Sequence, residues 1–341
     1  MDSASLDIEN FSDLLIYLRR AGRIGPDEVP RLTNLAGGVS NRTVLLERQN
    51  GQGWVLKQAL AQLRVQTQWL SDPRRIEREA LGMARLAELA PPGAITPLIF
   101  LDPEAHLLAM QAVPQPHENW KTLLLAGRLD LGHVAQFAEL LGKIHRGGVE
   151  QAERYAAEFA DRSFFESLRL EPYYLYAAEQ VPQAAGFLRD LVERTRGHRY
   201  TLVHGDYSPK NVLIRENQLI LLDHEVIHFG DGSFDVGFAL THLLSKAHHL
   251  KPMSAAFAGA ARHFWAIYRE AVGVASAAQR ENAAVRHTLG CLLARCRGRS
   301  PLEYLDADER RRQADAVVSL MTLPPVTVNE LVDRFLDRMN S

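Results

Sequence analysis

Two short apolar strands set inside an otherwise helical half of the chain restrict the folds open to it. Segments 212–214 and 219–222 are separated by Arg215-Glu216-Asn217-Gln218, a polar turn, and read as one β-hairpin. Around them the pattern is helical. Val134, Phe137, Ala138, Leu141 and Ile144 form a 3.6-residue stripe that ends at His145, and helical patterns resume at 187–191, 238–244, 257–268 and 285–293. Before Pro114 the pattern is the reverse. Asn50-Gly51 marks a hairpin turn, and 99–101 with 106–110 forms another hairpin around Asp102-Pro103-Glu104-Ala105. A helix over 10–21, ended by Gly22, docks on this first part. The chain therefore divides into a sheet-rich lobe, 1–113, and a mainly helical lobe, 114–341, in an α+β fold.

The second-lobe hairpin carries the polar groups that matter most. Strand 201–203 leads into His204-Gly205-Asp206, Asn211 follows five positions after the aspartate, and the last strand of the hairpin ends at Asp223. Transfer of a nucleotide's terminal phosphoryl group requires an in-line alcohol and neutralisation of charge on the phosphate oxygens. Asp206 suits the proton acceptor, while Asn211 and Asp223 supply the hard oxygens that magnesium prefers. The offset of Asn211 from Asp206 is that of the kinase catalytic loop H-R-D-x-x-x-x-N. Taken singly, each residue is equally a turn former or a strand end.

With these motifs the chain resembles the aminoglycoside phosphotransferase and choline kinase group of protein-kinase-like small-molecule kinases, matching at His204-Gly205-Asp206, Asn211 and Asp223-x-Glu225. The resemblance implies a two-lobed protein-kinase-like fold, ATP as phosphoryl donor and Mg2+ as cofactor. It makes Asp206 the catalytic base and Asn211 and Asp223 the metal ligands, with Glu225 as a further metal-side carboxylate. In Gly230 to Gly237 it gives Asp235 the task of bracing the catalytic loop, compatible with a helix N-cap.

The amino-terminal half offers nucleotide-binding residues in the expected order. The stretch 35–44 places Gly37 and Gly38 beside Ser40 and Asn41, where backbone N–H groups can approach phosphates, although glycine pairs also serve hairpin turns. Lys57 ends strand 54–57 and resembles the phosphate-contacting lysine. Asp72-Pro73 opens the next helix, with Asp72 as cap. On that helix Glu77 and Glu79 point about 200° apart, so one of them faces Lys57; the resemblance favours Glu79. After the second hairpin, the backbone groups of Gln111 and Val113 are expected to meet the adenine edge, with Met110 against the ring. Trp120 and Lys121 then fall at the cleft mouth.

A narrower similarity links Lys57-Gln58-Ala59-Leu60, Leu63-Arg64-Val65 and Trp69 to methylthioribose kinases, a sugar-kinase branch of the same superfamily. Those enzymes lack an asparagine at the place of Asn211 and carry proline where His224 stands. Methylthioribose is thus one candidate among sugar, amino-alcohol and aminoglycoside acceptors.

Composition agrees with such an enzyme. Thirty-nine basic against 41 acidic residues leave no basic footprint for nucleic acid, and no uninterrupted apolar run is long enough for a membrane span. The acidic, polar start of the chain makes the cytoplasm the default location. Cys291 and Cys296, five apart in a helical stretch, read as free thiols. Arg295, Arg297 and Arg299 could bind an acceptor anion but fit a basic helix end better, Arg310 to Arg312 form a solvated face, and His242, His248 and His249 lack a carboxylate at zinc-ligand spacing. Two rival functions remain: a nucleotide-binding pseudokinase without catalysis, and a metal-dependent hydrolase using His204, Asp206 and Asp223.

Overall fold

A computed structural model describes residues 6–35, 38, 40–64 and 69–340 of the 341-residue chain. The first lobe is an antiparallel sheet of β1 (Arg31–Asn34), β2 (Asn41–Glu47), β3 (Gly53–Ala59), β4 (Leu98–Asp102) and β5 (Leu107–Gln111), in the order β1-β2-β3-β5-β4. Its two faces follow from the period of two along each strand. Val44, Leu46, Trp54, Leu56, Leu107 and Ala109 point to one side, where Leu14 and Leu18 of α1 (Phe11–Arg20) cover them. Asn10 caps α1 by accepting from the amides of Ser12 and Asp13, and Gly22 leaves it with φ +64°. Leu108 and Met110 point to the other side, against Ile76, Ala80 and Met83 of α2 (Arg75–Leu89).

The opening of α2 differs from expectation. Asp72 accepts from the Arg74 amide at 2.9 Å, which closes a separate turn, and the regular helix begins at Arg75 without a side-chain cap.

The second lobe contains α3 (Trp120–Leu125), α4 (Leu131–Glu150), α5 (Ala152–Glu158), α6 (Ser163–Phe165), a wide-turned helical stretch Glu166–Leu175, α7 (Tyr176–Gln180) and α8 (Ala185–Gly197). After the site come α9 (Ser233–His249), α10 (Ser254–Val272), α11 (Val274–Arg297), α12 (Ala307–Thr322) and α13 (Val328–Asn340). Of its strands, β6 (Glu118–Asn119) joins the hairpin of β8 (Val212–Arg215) and β9 (Gln218–Leu221), while β7 (Thr201–Val203) pairs with β10 (His228–Gly230). Glu216 and Asn217, at φ +50° and +63°, form the hairpin turn whose twist matches its strands. The core helix α9 is buried from Ser233 to His248. It crosses α11 so closely that a Cβ at Gly237 would lie 2.5 Å from that of His287.

Two local expectations fail. The α4 helix does not end at His145 but runs on to Glu150, and the imidazole of His145 is buried, 2.9 Å from the Tyr268 hydroxyl through Nδ1. Trp120 does not reach the cleft mouth; it is fully buried edge-on to Phe137, with ring centroids 4.9 Å apart. The hydrophobic content of the ring outweighs its chain position. Cys291 and Cys296 are free and buried, and burial pushes both thiols up to about 12. No helix among the described residues is long and apolar enough to cross a membrane.

Candidate active site

A cleft of about 970 Å³ between the sheet and the β8–β9 hairpin is lined by Gly38, Ser40, Asn41, Lys57, Gln111, Val113, Asn211 and Asp223. These residues span 186 positions of sequence, and the fold brings them to one cavity. Gly37 lies outside the described residues. At the hinge the Gln111 amide already donates to the Pro97 carbonyl at 2.9 Å. The Val113 amide has no partner among the described residues, so it is the donor left for a base edge.

Strand β3 aims Lys57 into the cleft floor, where Nζ lies 2.6 Å from Glu79 Oε1 and 2.9 Å from Asp223 Oδ1. Glu77 sits elsewhere on α2, half-buried. Burial opposes the Lys57 charge, but Asp223 and Glu79 overcome it and the ammonium is held protonated. Burial pushes Glu79 up against the pull of Lys57, and the charges of the nearby Asp223 and Glu225 add to that rise. Ligand atoms of Glu79, Asp223 and Glu225 all fall within 4.8 Å of one another. Three carboxylates against two cations, Lys57 and the Arg75 guanidinium that pairs with Glu225, leave excess negative charge, the demand that a bound cation would answer. Asp223 adopts φ +68°, a left-handed backbone that aspartate tolerates better than most residues and that turns its side chain out of the strand into the cleft.

Glu225 has a second neighbourhood that sequence pattern does not disclose. Its Oε2 accepts from Arg75 Nε at 3.1 Å and from Asn41 Nδ2 at 3.3 Å. The fully buried Arg75 guanidinium also donates to the carbonyls of Ser71 at 3.3 Å, Asp72 at 3.2 Å, Leu60 at 2.8 Å and Ser40. One side chain thus ties the glycine loop, the end of β3, the start of α2 and the Asp223–Glu225 segment together. The Asn41 side chain belongs to this network as well as to the cleft wall.

Asp206 follows β7 through Gly205, whose φ is +78° and where a Cβ would lie 2.9 Å from Val226 Cγ2, so only glycine fits the turn. Asp206 is buried; its Oδ2 accepts from Asn211 at 2.8 Å and forms ion pairs with Arg169 at 3.1 Å and Lys210 at 2.9 Å. Burial would raise this carboxyl, yet Arg169 and Lys210 hold it well below the usual carboxylate range. Its Oδ1 is buried without a partner among the described residues. Asn211 donates to both the carbonyl and the carboxylate of Asp206, which orients its amide and leaves its oxygen free to face the cleft. Asp235, inside the first turn of α9, accepts from the amides of His204 at 2.7 Å and Gly205 at 2.8 Å, holding the loop by its backbone.

The two histidines flanking this loop have determined tautomers. The Asp206 amide donates to His204 Nδ1 at 3.2 Å, so the proton of His204 resides on Nε2 and is donated to His224 Nδ1 at 3.1 Å. Burial keeps both rings neutral. This bond joins the His204–Asp206 loop to the Asp223–Glu225 segment.

Arg169 and Lys210 are the residues sequence reasoning missed. Lys210 stands one position before Asn211 and four after Asp206, a signal that was present. Arg169 comes from the wide-turned helix 36 positions upstream of Gly205, whose carbonyl its Nε meets at 2.7 Å, and carried no motif. Of the three carboxy-terminal arginines, Arg295 is buried while Arg297 is exposed and Arg299 lies 5.1 Å over the Tyr176 ring. His249 does meet a carboxylate, Glu309, at 3.0 Å, brought in from α12.

A model of the phosphotransferase enzyme family matches residues 31–271. The methylthioribose kinase of Klebsiella pneumoniae (strain 342) is 23% identical over 259 residues, which cover 68% of this chain and 64% of that one. The chain therefore spans less than two thirds of the length of the curated relatives it matches. Among solved structures, an amicoumacin kinase in complex with AMP-PNP, Ca2+ and Ami superposes with a TM-score of 0.55 at 15% identity, over 94% of this chain and 98% of that one. The Plasmodium vivax ethanolamine kinase does so with a TM-score of 0.56 at 11% identity, over 92% and 90% of the two chains. At such identities the likeness is one of fold, and the fold is protein-kinase-like.

Proposed function

The chain belongs to the phosphotransferase enzyme family, and from that membership we propose that it is a small-molecule kinase, moving the terminal phosphoryl group of ATP to a hydroxyl. The observation that carries the proposal is the asymmetry of Asp206. Its Oδ2 is saturated by Arg169, Lys210 and Asn211, whereas Oδ1 is buried and unpartnered. That free, desolvated oxygen is where an acceptor hydroxyl would donate. As the new O–P bond forms and the bond to the ADP oxygen breaks, the hydroxyl proton passes to Asp206. Arg169 and Lys210 keep the carboxylate ionised beforehand and orient it.

Lys57 contacts nucleotide phosphate and Glu79 holds it extended. Gly38, Ser40 and Asn41 cover the phosphates, and Val113 with Gln111 takes the base. Asn211 and Asp223 offer the oxygen donors for Mg2+, with Glu225 behind them on Arg75; the ion would neutralise charge on the phosphate oxygens. The crowding of Glu79, Asp223 and Glu225 fits such an ion. A sugar kinase of methylthioribose-kinase type is the second reading, favoured by the identity to the Klebsiella enzyme, although Asn211 and His224 depart from that branch.

Magnesium-dependent ADP release, screened over sugars, aminoglycosides and amino alcohols as well as hydroxy acids, tests the proposal. Acceptor-stimulated release supports it. A chain that binds ATP yet yields no ADP with any acceptor or with water would instead be a binding module, and hydrolysis of phosphoesters without nucleotide would make it a hydrolase.

A further inference from the structure

Linked to Asp206 through Arg169, the second lobe buries two further cations, Arg295 and Lys246, that no carboxylate among the described residues pairs with. Arg169 lies 5.6 Å over the Tyr173 ring, and the Tyr173 hydroxyl receives Arg295 Nη1 at 3.3 Å, so Tyr173 stands between the two guanidiniums. Next to it, Phe238 meets His242 edge-on at 4.9 Å. The charges of Lys246, Arg295, Asp206 and Lys210 all act on the His242 ring, which burial keeps neutral. Lys246 is fully buried. Its Nζ donates only to the His242 carbonyl at 3.3 Å and lies 5.3 Å over the Tyr304 ring, and among the described residues no carboxylate pairs with it.

Several neighbours are likewise buried without partners: His242 Nε2, Arg295 Nε, Ser245 Oγ and the Tyr304 hydroxyl. Native proteins rarely leave so many polar atoms unsatisfied in one place, and burial without a counter-ion lowers the Lys246 ammonium to about 7, a charge that an anion beside it would restore. The carboxylates of the cluster are Asp206, already shared by Arg169 and Lys210, and Glu303. Glu303 is an exposed side chain at the rim, paired with Lys121, and its charge also acts on Lys246 and Arg295.

We propose that the acceptor hydroxyl belongs to an anionic compound, one that bears a carboxylate or a phosphate monoester, and that Lys246 and Arg295 hold the anion while its hydroxyl meets Asp206. This rests on the kinase reading of Asp206 and narrows it. Two basic side chains suit an anion in a buried site, Arg295 by its planar fork and Lys246 as a point charge. A cationic amino alcohol or aminoglycoside meets repulsion from the same groups.

A matched three-carbon series provides the test: D-glycerate, glycerol 3-phosphate, glycerol and 3-amino-1,2-propanediol. Each is titrated calorimetrically into the full chain saturated with Mg2+ and AMP-PNP. At least one anionic member should bind tenfold or more tighter than glycerol, with the amine weakest; the glycerate and glycerol 3-phosphate arms tell carboxylate from phosphate. Lys246→Met, close in shape and free of the buried charge, should abolish that preference, Lys246→Arg should retain part of it, and AMP-PNP affinity should stay within twofold in both. Preference for glycerol or the amine, absence of binding by either anion, or an anion preference untouched by Lys246→Met overturns the inference. Loss of AMP-PNP binding by the wild-type chain would count against the kinase reading itself.

Discussion

Replacing Arg75 by methionine should be among the most destabilising single changes in the first lobe. The substitution keeps an apolar stem but removes a fully buried guanidinium that bonds Glu225 and four backbone carbonyls. Breaking one side of a buried ion pair costs about 3 to 5 kcal/mol, because the surviving charge stays desolvated. Here the lower end applies, since Asn41 still donates to Glu225 and Lys57 still attracts it. Orphaned carbonyls add about 1 kcal/mol where water cannot reach them. A total of about 4 kcal/mol corresponds to a Tm lowered by roughly 6 °C in a chain of this size. Removing the stranded charge should recover most of the loss, so Arg75→Met with Glu225→Gln is expected to be about 2 kcal/mol more stable than Arg75→Met alone. Urea unfolding of the wild type, both single variants and the double variant closes the cycle. Additive costs, or an Arg75→Met protein within about 1 kcal/mol of wild type, would refute the view of Arg75 as the tie between the glycine loop and the metal-side segment.

Further outcomes follow from the same geometry. His224→Phe removes the acceptor of the His204 Nε2 proton and should cost about 1 to 3 kcal/mol, lowering kcat with little change in the KM for ATP; steady-state kinetics beside a thermal melt would detect a KM effect alone, which would contradict the positioning role. Lys57→Met leaves Glu79 and Asp223 without their cation and Glu225 with Arg75 alone, so Mg2+ should raise the Tm of this variant more than that of the wild type, and an equal or smaller shift in a fluorescence melt would argue against a cation site there. Asp206 has a depressed pKa in the folded chain, so the stability it contributes is fully present above the unfolded value near 3.9 and is lost as pH falls through the lower folded value. The cost of Asp206→Asn in urea unfolding should therefore be constant from pH 7 to about 4.5 and shrink below about 3.9; a cost already falling between pH 7 and pH 5 would mean that Arg169 and Lys210 do not hold the carboxylate as described.

What the sequence disclosed was largely local. The Asn217 turn, the strand pattern around it and the short spacings from His204 to Asn211 and Asp223 are set by neighbours in the chain, so the hairpin and its polar groups could be read directly. The helix period separated Glu77 from Glu79, although which of them faces β3 depends on how α2 sits on the sheet. The partners that tune these groups were not legible. Arg75 reaches Glu225 across 150 positions and Arg169 reaches the Asp206 loop from a wide-turned helix, contacts fixed by tertiary packing and carried by no periodicity. The same holds for His145, where a polar residue at the end of an apolar stripe suggested a stop although Tyr268 and Asp235 provide it with buried partners. Trp120 was misplaced for a related reason, since position beside a hinge says nothing of the direction in which a large ring turns.

The central claim is that Asp206 is the base of a phosphoryl transfer from ATP, and it can be tested without knowing the acceptor. Slow ADP formation from Mg2+ and ATP, with water in the acceptor's place, should be measurable in the wild-type chain. It should fall by about a hundredfold or more in Asp206→Asn, while ATP affinity, measured by calorimetry on the same samples, changes by no more than a few-fold. Equal rates of ADP formation in the two proteins would contradict the account.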